Sequence, residues 1–362
     1  MISKNNLIWA AGAGVVVVAV ALIVVTVLIE PGRLGGAAFL RFWQNEPVVI
    51  TPSASLSPAP SASPVEEIKL LFLGDLMFDR NIRQIAAKNG NNFIFAPAVE
   101  FLVGNDLVVA NLEGPITDNK SVSLNTAPGS DNNFVFTFEA SLASTLFDNN
   151  IRLVSLGNNH ILNFGQIGLK ATKQYLNGAG VSYFGAPGGE RGIIKEIKGV
   201  KIALVNYNQF IGSILVEPSF APPPYKTTDG HSEATAGEQA AAIEEIKKVK
   251  MQADVVILYA HWGIEHENEA NGVIKNLAHE FINAGADLII GSHPHVIQSA
   301  EEYNGKMIYY SLGNFVFDQY FSEAVRQGLG VIVKINSETQ QLKFEEKKLY
   351  LRSNGQTALL EP

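Results

Sequence analysis

The sequence contains no cysteine. That excludes disulfide staples, thiolate metal sites and a cysteine nucleophile, and leaves His, Asp, Glu and Asn as the side chains able to hold a metal. Positive charge is also scarce: 27 Lys and Arg stand against 35 Asp and Glu, a formal net charge of −8. The basic footprint of a nucleic-acid binder is missing, so DNA and RNA are set aside as partners. Only 17% of residues are charged against 47% hydrophobic, a balance that supports a packed core and excludes a largely disordered chain. With 362 residues there is room for two ordinary domains or one large α/β domain with appendages.

One long hydrophobic run stands out. LIWAAGAGVVVVAVALIVVTVLI, Leu7 to Ile29, is 23 residues without a charge. As a helix it spans roughly 35 Å, enough to cross a bilayer with tilt, and it reads as a transmembrane anchor behind a short tail of residues 1–6. A buried core helix seldom runs so far without a polar face. A cleaved signal peptide, with Gly35 and Ala37 before the cut, is the nearer rival, although signal cores are typically about 7 to 15 residues. Lys4 on one side is matched by Arg33 and Arg41 on the other, so charge does not fix the orientation. Residues 30–65 form a linker, whose tract TPSASLSPAPSASP from Thr51 to Pro64 cannot build a core and reads as a semi-extended spacer. Tail, anchor and spacer ahead of a globular domain at residues 66–335 imply a single-pass protein of the cell membrane, its domain extracytoplasmic, with a C-terminal strand and tail at 336–362.

After the linker, short β-branched runs alternate with amphipathic stretches, the pattern of βαβ units and an α/β fold. The runs are Ile68 to Leu73, Leu107 to Ala110, Leu153 to Leu156, Val255 to Ala260, Leu288 to Ile290 and Met307 to Tyr310. Helices are expected at Gln166 to Ala179, Thr235 to Met251 and Asn271 to Ala284, the last stopped by Gly285. Each run ends in a polar motif: Gly74-Asp75, Asn111-Leu112-Glu113, Gly157-Asn158-Asn159-His160, His261-Trp262-Gly263, Gly291-Ser292-His293-Pro294-His295 and Ser311-Leu312-Gly313-Asn314. The carboxyl ends of strands in α/β sheets form the ligand crevice, so these motifs should converge on one face.

Asp75, Glu113, Asn159, His261, His293 and His295 make a mixed oxygen and nitrogen set that suits one or two borderline divalent ions, Mn, Fe or Zn, better than Ca. Glu113 is the natural bridge for a metal pair about 3.5 to 4 Å apart. Pro294 stiffens the His-Pro-His loop so that both imidazoles can face the ions. Taken singly, Asp75 could cap a helix, Asn111 and Asn159 could close Asx turns, and His261 could be a satisfied core histidine. Arg80 either binds an anion or pairs with a carboxylate. His231 and His279 read as structural or solvent-exposed.

As a set, Gly74-Asp75-Leu76-Met77 through Arg80, Asn111-Leu112-Glu113-Gly114, Asn158-Asn159-His160, His261-Trp262-Gly263, Gly291-Ser292-His293-Pro294-His295 and Tyr310-Ser311-Leu312-Gly313-Asn314-Phe315 resemble the bacterial capsule-synthesis proteins of the CapA/PgsA type, associated with poly-γ-glutamate. The resemblance covers about Lys69 to Asp318. It implies a calcineurin-like metallophosphoesterase fold, a sandwich of two sheets flanked by helices, with Asp75, Glu113 and His295 around one metal and Glu113, Asn159, His261 and His293 around the other. Departures are visible too. Met77 stands where metallophosphoesterases usually carry a His, which weakens or removes one metal site. Asn163 replaces a common Asp three residues after the Asn-His pair, and His266 replaces a Tyr.

On this reading the chain is a membrane-anchored metal-dependent protein of capsule or poly-γ-glutamate biosynthesis with hydrolase-like machinery. His160 would protonate a leaving group, and Arg80 with the ions would stabilise developing charge at a phosphoryl or amide centre. Two other functions stay open: a non-catalytic subunit that binds or exports an anionic polymer beside other membrane subunits, and a general phosphoesterase of the envelope. The segment Ile211 to Gly230, with Pro222-Pro223-Pro224, is expected as a loop over the crevice rim.

Overall fold

A computed structural model describes residues 66–210 and 236–360. The anchor, the linker, the rim loop and His231 lie outside these residues. Among the described residues no helix is long and apolar enough to cross a membrane. In chain order the strands are β1 (Glu67–Leu76), β2 (Leu107–Leu112), β3 (Ile151–Ser155), β4 (Ser182–Phe184), β5 (Gly192–Ile197), β6 (Val200–Asn208), β7 (Val255–His261), β8 (Leu288–Ser292), β9 (Ala300–Tyr303), β10 (Lys306–Tyr309), β11 (Asn314–Val316), β12 (Gln327–Asn336), β13 (Leu342–Leu351) and β14 (Thr357–Leu359). The helices are α1 (Arg80–Asn89), α2 (Asn92–Phe95), α3 (Val99–Val103), α4 (Ser141–Asp148), α5 (Gly165–Ala179), α6 (Ala236–Lys250) and α7 (Gly272–Ala284).

The fold is mixed α/β with two sheets. One has eight strands in the order β14-β13-β12-β1-β2-β3-β4, with β11 added beside the end of β1; the other runs β5-β6-β7-β8-β10-β9. In the first, parallel strands β1 to β4 reach one edge and antiparallel strands lie on the other side; in the second, a parallel centre has an antiparallel strand at each edge. Both faces of the central strands are buried, which is why they read as continuous apolar runs. Side-chain alternation assigns the faces. Ile68, Leu70 and Phe72 of β1 join Val255, Ile257 and Tyr259 of β7 in a core built from both sheets. Leu71 and Leu73 face the core that includes α1, α4 and α5, while Val256, Leu258 and Ala260 face α6 and α7. Each fully buried Leu, Ile or Val contributes roughly 1.5–3 kcal/mol.

All six expected runs coincide with strands, Leu156 and Tyr310 lying one residue past the ends of β3 and β10. The structure adds a seventh strand of the same kind, β6, which pairs with β7. The C-terminal stretch supplies β13 and β14 to the eight-stranded sheet, where β12 pairs antiparallel with β13 along nine positions, from Gln327–Tyr350 to Ile335–Leu342. Helix α7 begins where Asn271 accepts a hydrogen bond from Ile274 N at 3.0 Å and ends at Gly285. It buries Ile274, Leu277, Ala278, Phe281 and Ile282, the spacing of one helical face.

Register brings the strand ends into two rows. Asp75 lies beside both Asn111 and Asn314, and Asn111 beside Ser155. In the other sheet Asn208, His261 and Ser292 are neighbours. The first row needs Gly74, where a Cβ would lie 1.8 Å from the Gly313 carbonyl oxygen; only glycine lets β1 and the segment before β11 approach so closely. The irregularity between Phe72 and Asp75 in the pairing of β1 with β2 sits at the same place.

Candidate metal centre

Asp75 stands near the end of β1, Glu113 directly after β2, Asn159 and His160 after β3, His261 at the end of β7, and His293 and His295 after β8. Asp75 and Glu113 are fully buried and the three imidazoles are exposed by 2% or less. These side chains form two groups, Asp75 with Glu113 and His295, and Glu113 with His261 and His293, in each of which the potential ligand atoms lie within 4.8 Å of one another. Glu113 belongs to both. Asn159 joins the second group through its Oδ1, 2.9 Å from His261 Nε2.

Buried polar atoms without partners test whether a cation fits here. Glu113 Oε1 and both ring nitrogens of His293 have no hydrogen bond, although leaving a buried polar atom unsatisfied costs about 1–3 kcal/mol. His261 stands beside them, its Nδ1 3.0 Å from Ser292 Oγ and 3.4 Å from Asn111 Nδ2 and its Nε2 2.9 Å from Asn159 Oδ1. A carboxylate oxygen and an imidazole with nothing bound, next to a second imidazole and an amide oxygen, form a donor set for a divalent cation. His293 and His295 carry φ values of 98° and 58°; strained backbone of this kind persists where the surroundings hold it for a purpose.

Electrostatics agree with the geometry. Burial, then the neighbouring imidazoles, holds His261 and His293 well below the ordinary histidine value, and a neutral imidazole is the ligating form. Burial, reinforced by Asp75, raises Glu113 well above the carboxylate range. His295 is pushed down by burial but carried to about 10 by Glu113 and Asp75. Two carboxylates and three imidazoles thus crowd one buried cluster, an arrangement that a bound cation would stabilise.

Supporting residues lock the set. Asn111 donates to Asp75 Oδ1 at 2.8 Å and to Glu113 Oε2 at 3.3 Å, and its own Oδ1 accepts from Asn158 Nδ2 at 2.9 Å. Asn314 Oδ1 lies 2.9 Å from His295 Nδ1, and His293 N donates to Asp75 Oδ2 at 3.1 Å. Phe210, past the end of β6, lays its ring 4.2 Å from that of His293. The motifs containing Asn111 and Asn314 were visible in the sequence, their supporting roles were not, and Phe210 followed a strand not named there.

The remaining site residues sit at the margin. His160 lies against Phe136, tilted by 34° with centroids 4.4 Å apart, and places Nδ1 3.2 Å from Asn163 Oδ1 and Nε2 4.0 Å from Glu113 Oε1. Burial lowers it to about 3, against the opposing effect of Asn163, so the ring is neutral at ordinary pH and holds no imidazolium proton to donate. Arg80 pairs with Asp318 and donates to Asn133 Oδ1 at 3.0 Å. Met77 is fully buried in the helix-side core, its sulfur accepting from Asp79 N at 3.0 Å. Asp79, not Asp75, caps α1. His266 is exposed and half a dozen ångströms (6.2 Å) from the His295 ring. His279 is bound to Glu301 at 2.8 Å and stacked on Tyr303.

Residues 69–319 match the family described as bacterial capsule synthesis protein PGA_cap. The chain is 32% identical over 253 residues to the PGA biosynthesis protein CapA of Bacillus subtilis (strain 168), covering 68% of this chain and 63% of that protein. It is 28% identical over 260 residues to the capsule biosynthesis protein CapA of Bacillus anthracis, covering 70% and 61%. The chain therefore spans somewhat under two thirds of the length of these relatives. Among solved structures, the NAD nucleotidase of Haemophilus influenzae aligns at 15% identity with a TM-score of 0.45, over 82% of this chain and 60% of that one.

Proposed function

The chain belongs to the bacterial capsule synthesis protein family, and from that membership and the buried cluster we propose a membrane-anchored, extracytoplasmic, metal-dependent protein of capsule or poly-γ-glutamate formation with a carboxylate-bridged pair of divalent ions. The observation that carries this reading is Glu113, common to both ligand groups, with Oε1 left without a hydrogen bond beside an imidazole whose two nitrogens are also unpartnered. The two-sheet sandwich with ligands at the carboxyl ends of its strands supports a metallophosphoesterase-type fold. Bound in such a site, a bridged ion pair supplies an acidified water and a clamp for negative charge.

The chain's own residues supply the rest. Glu113 bridges the two groups. Ser292 orients the His261 ring at Nδ1, and Asn159 adds an oxygen donor beside Nε2. Phe210 covers the His293 ring and keeps water off it. The substrate in this reading is an anionic chain or a phosphoester, recognised through the ions. The neutral His160, oriented by an amide rather than a carboxylate, favours a second reading: a subunit that grips the polymer without cleaving it, beside other membrane subunits.

Metal analysis of the purified chain, followed by a hydrolysis screen of phosphoester and γ-glutamyl substrates with and without chelator, separates the two. Metal with chelator-sensitive turnover supports the hydrolase; metal with no turnover supports the binding subunit; no metal overturns both. The anchor, Leu7 to Ile29, makes a separate prediction: protease added to intact spheroplasts removes the globular domain, and full protection until lysis reverses the orientation.

A further inference from the structure

Two imidazoles approach the same oxygen. His295 Nε2 lies 3.6 Å and His160 Nε2 4.0 Å from Glu113 Oε1, the carboxylate oxygen without a hydrogen bond. Each imidazole is backed by a phenylalanine: Phe136 behind His160 at 4.4 Å and Phe317 behind His295 at 4.7 Å between centroids. Those two rings meet edge to face at 6.3 Å, and the Arg80 guanidinium carbon lies over both, 5.0 Å from one centroid and 5.4 Å from the other. A guanidinium within about 6 Å of a ring face is attracted by its quadrupole. The result is one continuous array, His160, Phe136, Arg80, Phe317, His295, whose ends converge on Glu113.

The guanidinium is pinned at its edge while its face holds the rings. Asp318 takes Nη2, and Asn133 accepts Nη1 through its side chain at 3.0 Å and its carbonyl at 3.4 Å. Asp318 Oδ2 also accepts Asn81 N at 3.1 Å, tying the pair to the start of α1. Arg80 itself has φ 50°, in the left-handed region, a strained conformation that fixes where the side chain leaves the backbone. A planar cation with two anchored nitrogens can do this; an ammonium on a flexible stem cannot.

We propose that Arg80, held by Asp318 and Asn133, is a positioning residue that sets His160 and His295 at their distances from Glu113, and is not the group that binds substrate anions. The proposal rests on the metal-centre reading above and goes further, because it assigns the buried cation to the geometry of the site. The Nε–H of Arg80 is buried without a partner, so the experiment must also test anion binding directly.

The test uses the full chain, with Mn²⁺ titrated by calorimetry, inorganic phosphate titrated into the Mn²⁺-loaded protein, and the histidine ring resonances recorded by NMR. Arg80→Lys keeps the charge and loses the planar face. It is expected to weaken Mn²⁺ binding about 10- to 100-fold, the usual effect of removing a group that orients a ligand, and to shift the resonances of both His160 and His295. Phe317→Leu should move only His295 and weaken Mn²⁺; Phe136→Leu should move only His160 and leave Mn²⁺ affinity within about twofold. These two variants carry the test if Arg80→Lys does not fold. Wild-type Mn²⁺ affinity and wild-type resonances in Arg80→Lys overturn the proposal. So does loss of phosphate binding in Arg80→Gln with Mn²⁺ affinity unchanged, the mark of an anion clamp. If the wild type takes up no Mn²⁺, the metal reading fails, while the resonances of the two phenylalanine variants still decide the positioning role.

Discussion

The two halves of the cluster share Glu113 and differ in how their other polar atoms are satisfied. Around Asp75 and His295 the protein supplies its own partners: Asn111 and the His293 backbone N–H on the two oxygens of Asp75, and Asn314 on His295 Nδ1. At His293 it withholds them: both ring nitrogens are buried and unpartnered. Since an unsatisfied buried group is costly, the second half is the one that depends on a ligand, and the tighter ion is expected there. Met77, two residues after Asp75, is packed into the core and adds no ligand atom.

Substitutions in each half break this comparison in different ways. His293→Ala should lower metal affinity by more than about 100-fold, beyond what loss of an orienting group costs, while the chain stays folded because no hydrogen bond of the ring is lost. Asn314→Ala should lower it only about 10- to 100-fold but cost about 2–3 kcal/mol of stability in chelator. Its amide nitrogen donates to the His295 and Val325 carbonyls and to Gln319, and those acceptors are left buried. Calorimetric titration with denaturant melts of both variants checks the pair. Equal losses of affinity and of stability would erase the distinction between the halves.

The ligands were legible in the sequence because a polar residue at the end of a β-branched run has little to do in a core. The supports were not. Asn111, Ser292 and Asn314 are ordinary turn formers until register sets Asn111 and Asn314 against Asp75. Arg80 and Asp318 are 238 residues apart, and nothing local distinguishes an arginine that binds substrate from one clamped between rings. The strands that close the sheet were hidden for another reason. LKFEEKKLYL, β13, alternates too weakly to declare a face, and becomes a strand through its pairing with β12 and β14.

Acidification should sharpen the contrast further. In the native protein His261 and His293 are held well below the ordinary value and His160 down to about 3, whereas in the unfolded chain all three take up protons near pH 6.5. A depressed native value means stability is fully present above about pH 6.5 and is lost as pH falls, by about 1.4 kcal/mol per pH unit for each ring not yet protonated in the native state. His295, raised to about 10 by Glu113 and Asp75 against burial, acts oppositely: its contribution is complete below about pH 6.5 and lost as pH rises toward 10. Denaturant midpoints in chelator should therefore fall between pH 6.5 and 4, and His293→Ala should flatten that fall. A wild-type slope in His293→Ala would mean the ring is protonated in the native state.

The smallest effect on metal binding is expected at His160. His160→Gln should leave metal affinity within about twofold, and if the wild type hydrolyses any substrate, loss of the neutral ring as a general base should lower turnover about 10²- to 10⁴-fold. Metal loss in this variant would move His160 into the ligand set.

Glu113 is the hinge of the whole account, the one side chain that both halves require. The direct measurement is a Mn²⁺ titration of the wild-type chain and Glu113→Gln at one pH, with bound metal counted after dialysis. Two equivalents in the wild type, the first tighter, and loss of both in Glu113→Gln is the predicted result. A Glu113→Gln protein that retains wild-type stoichiometry and affinity would contradict it.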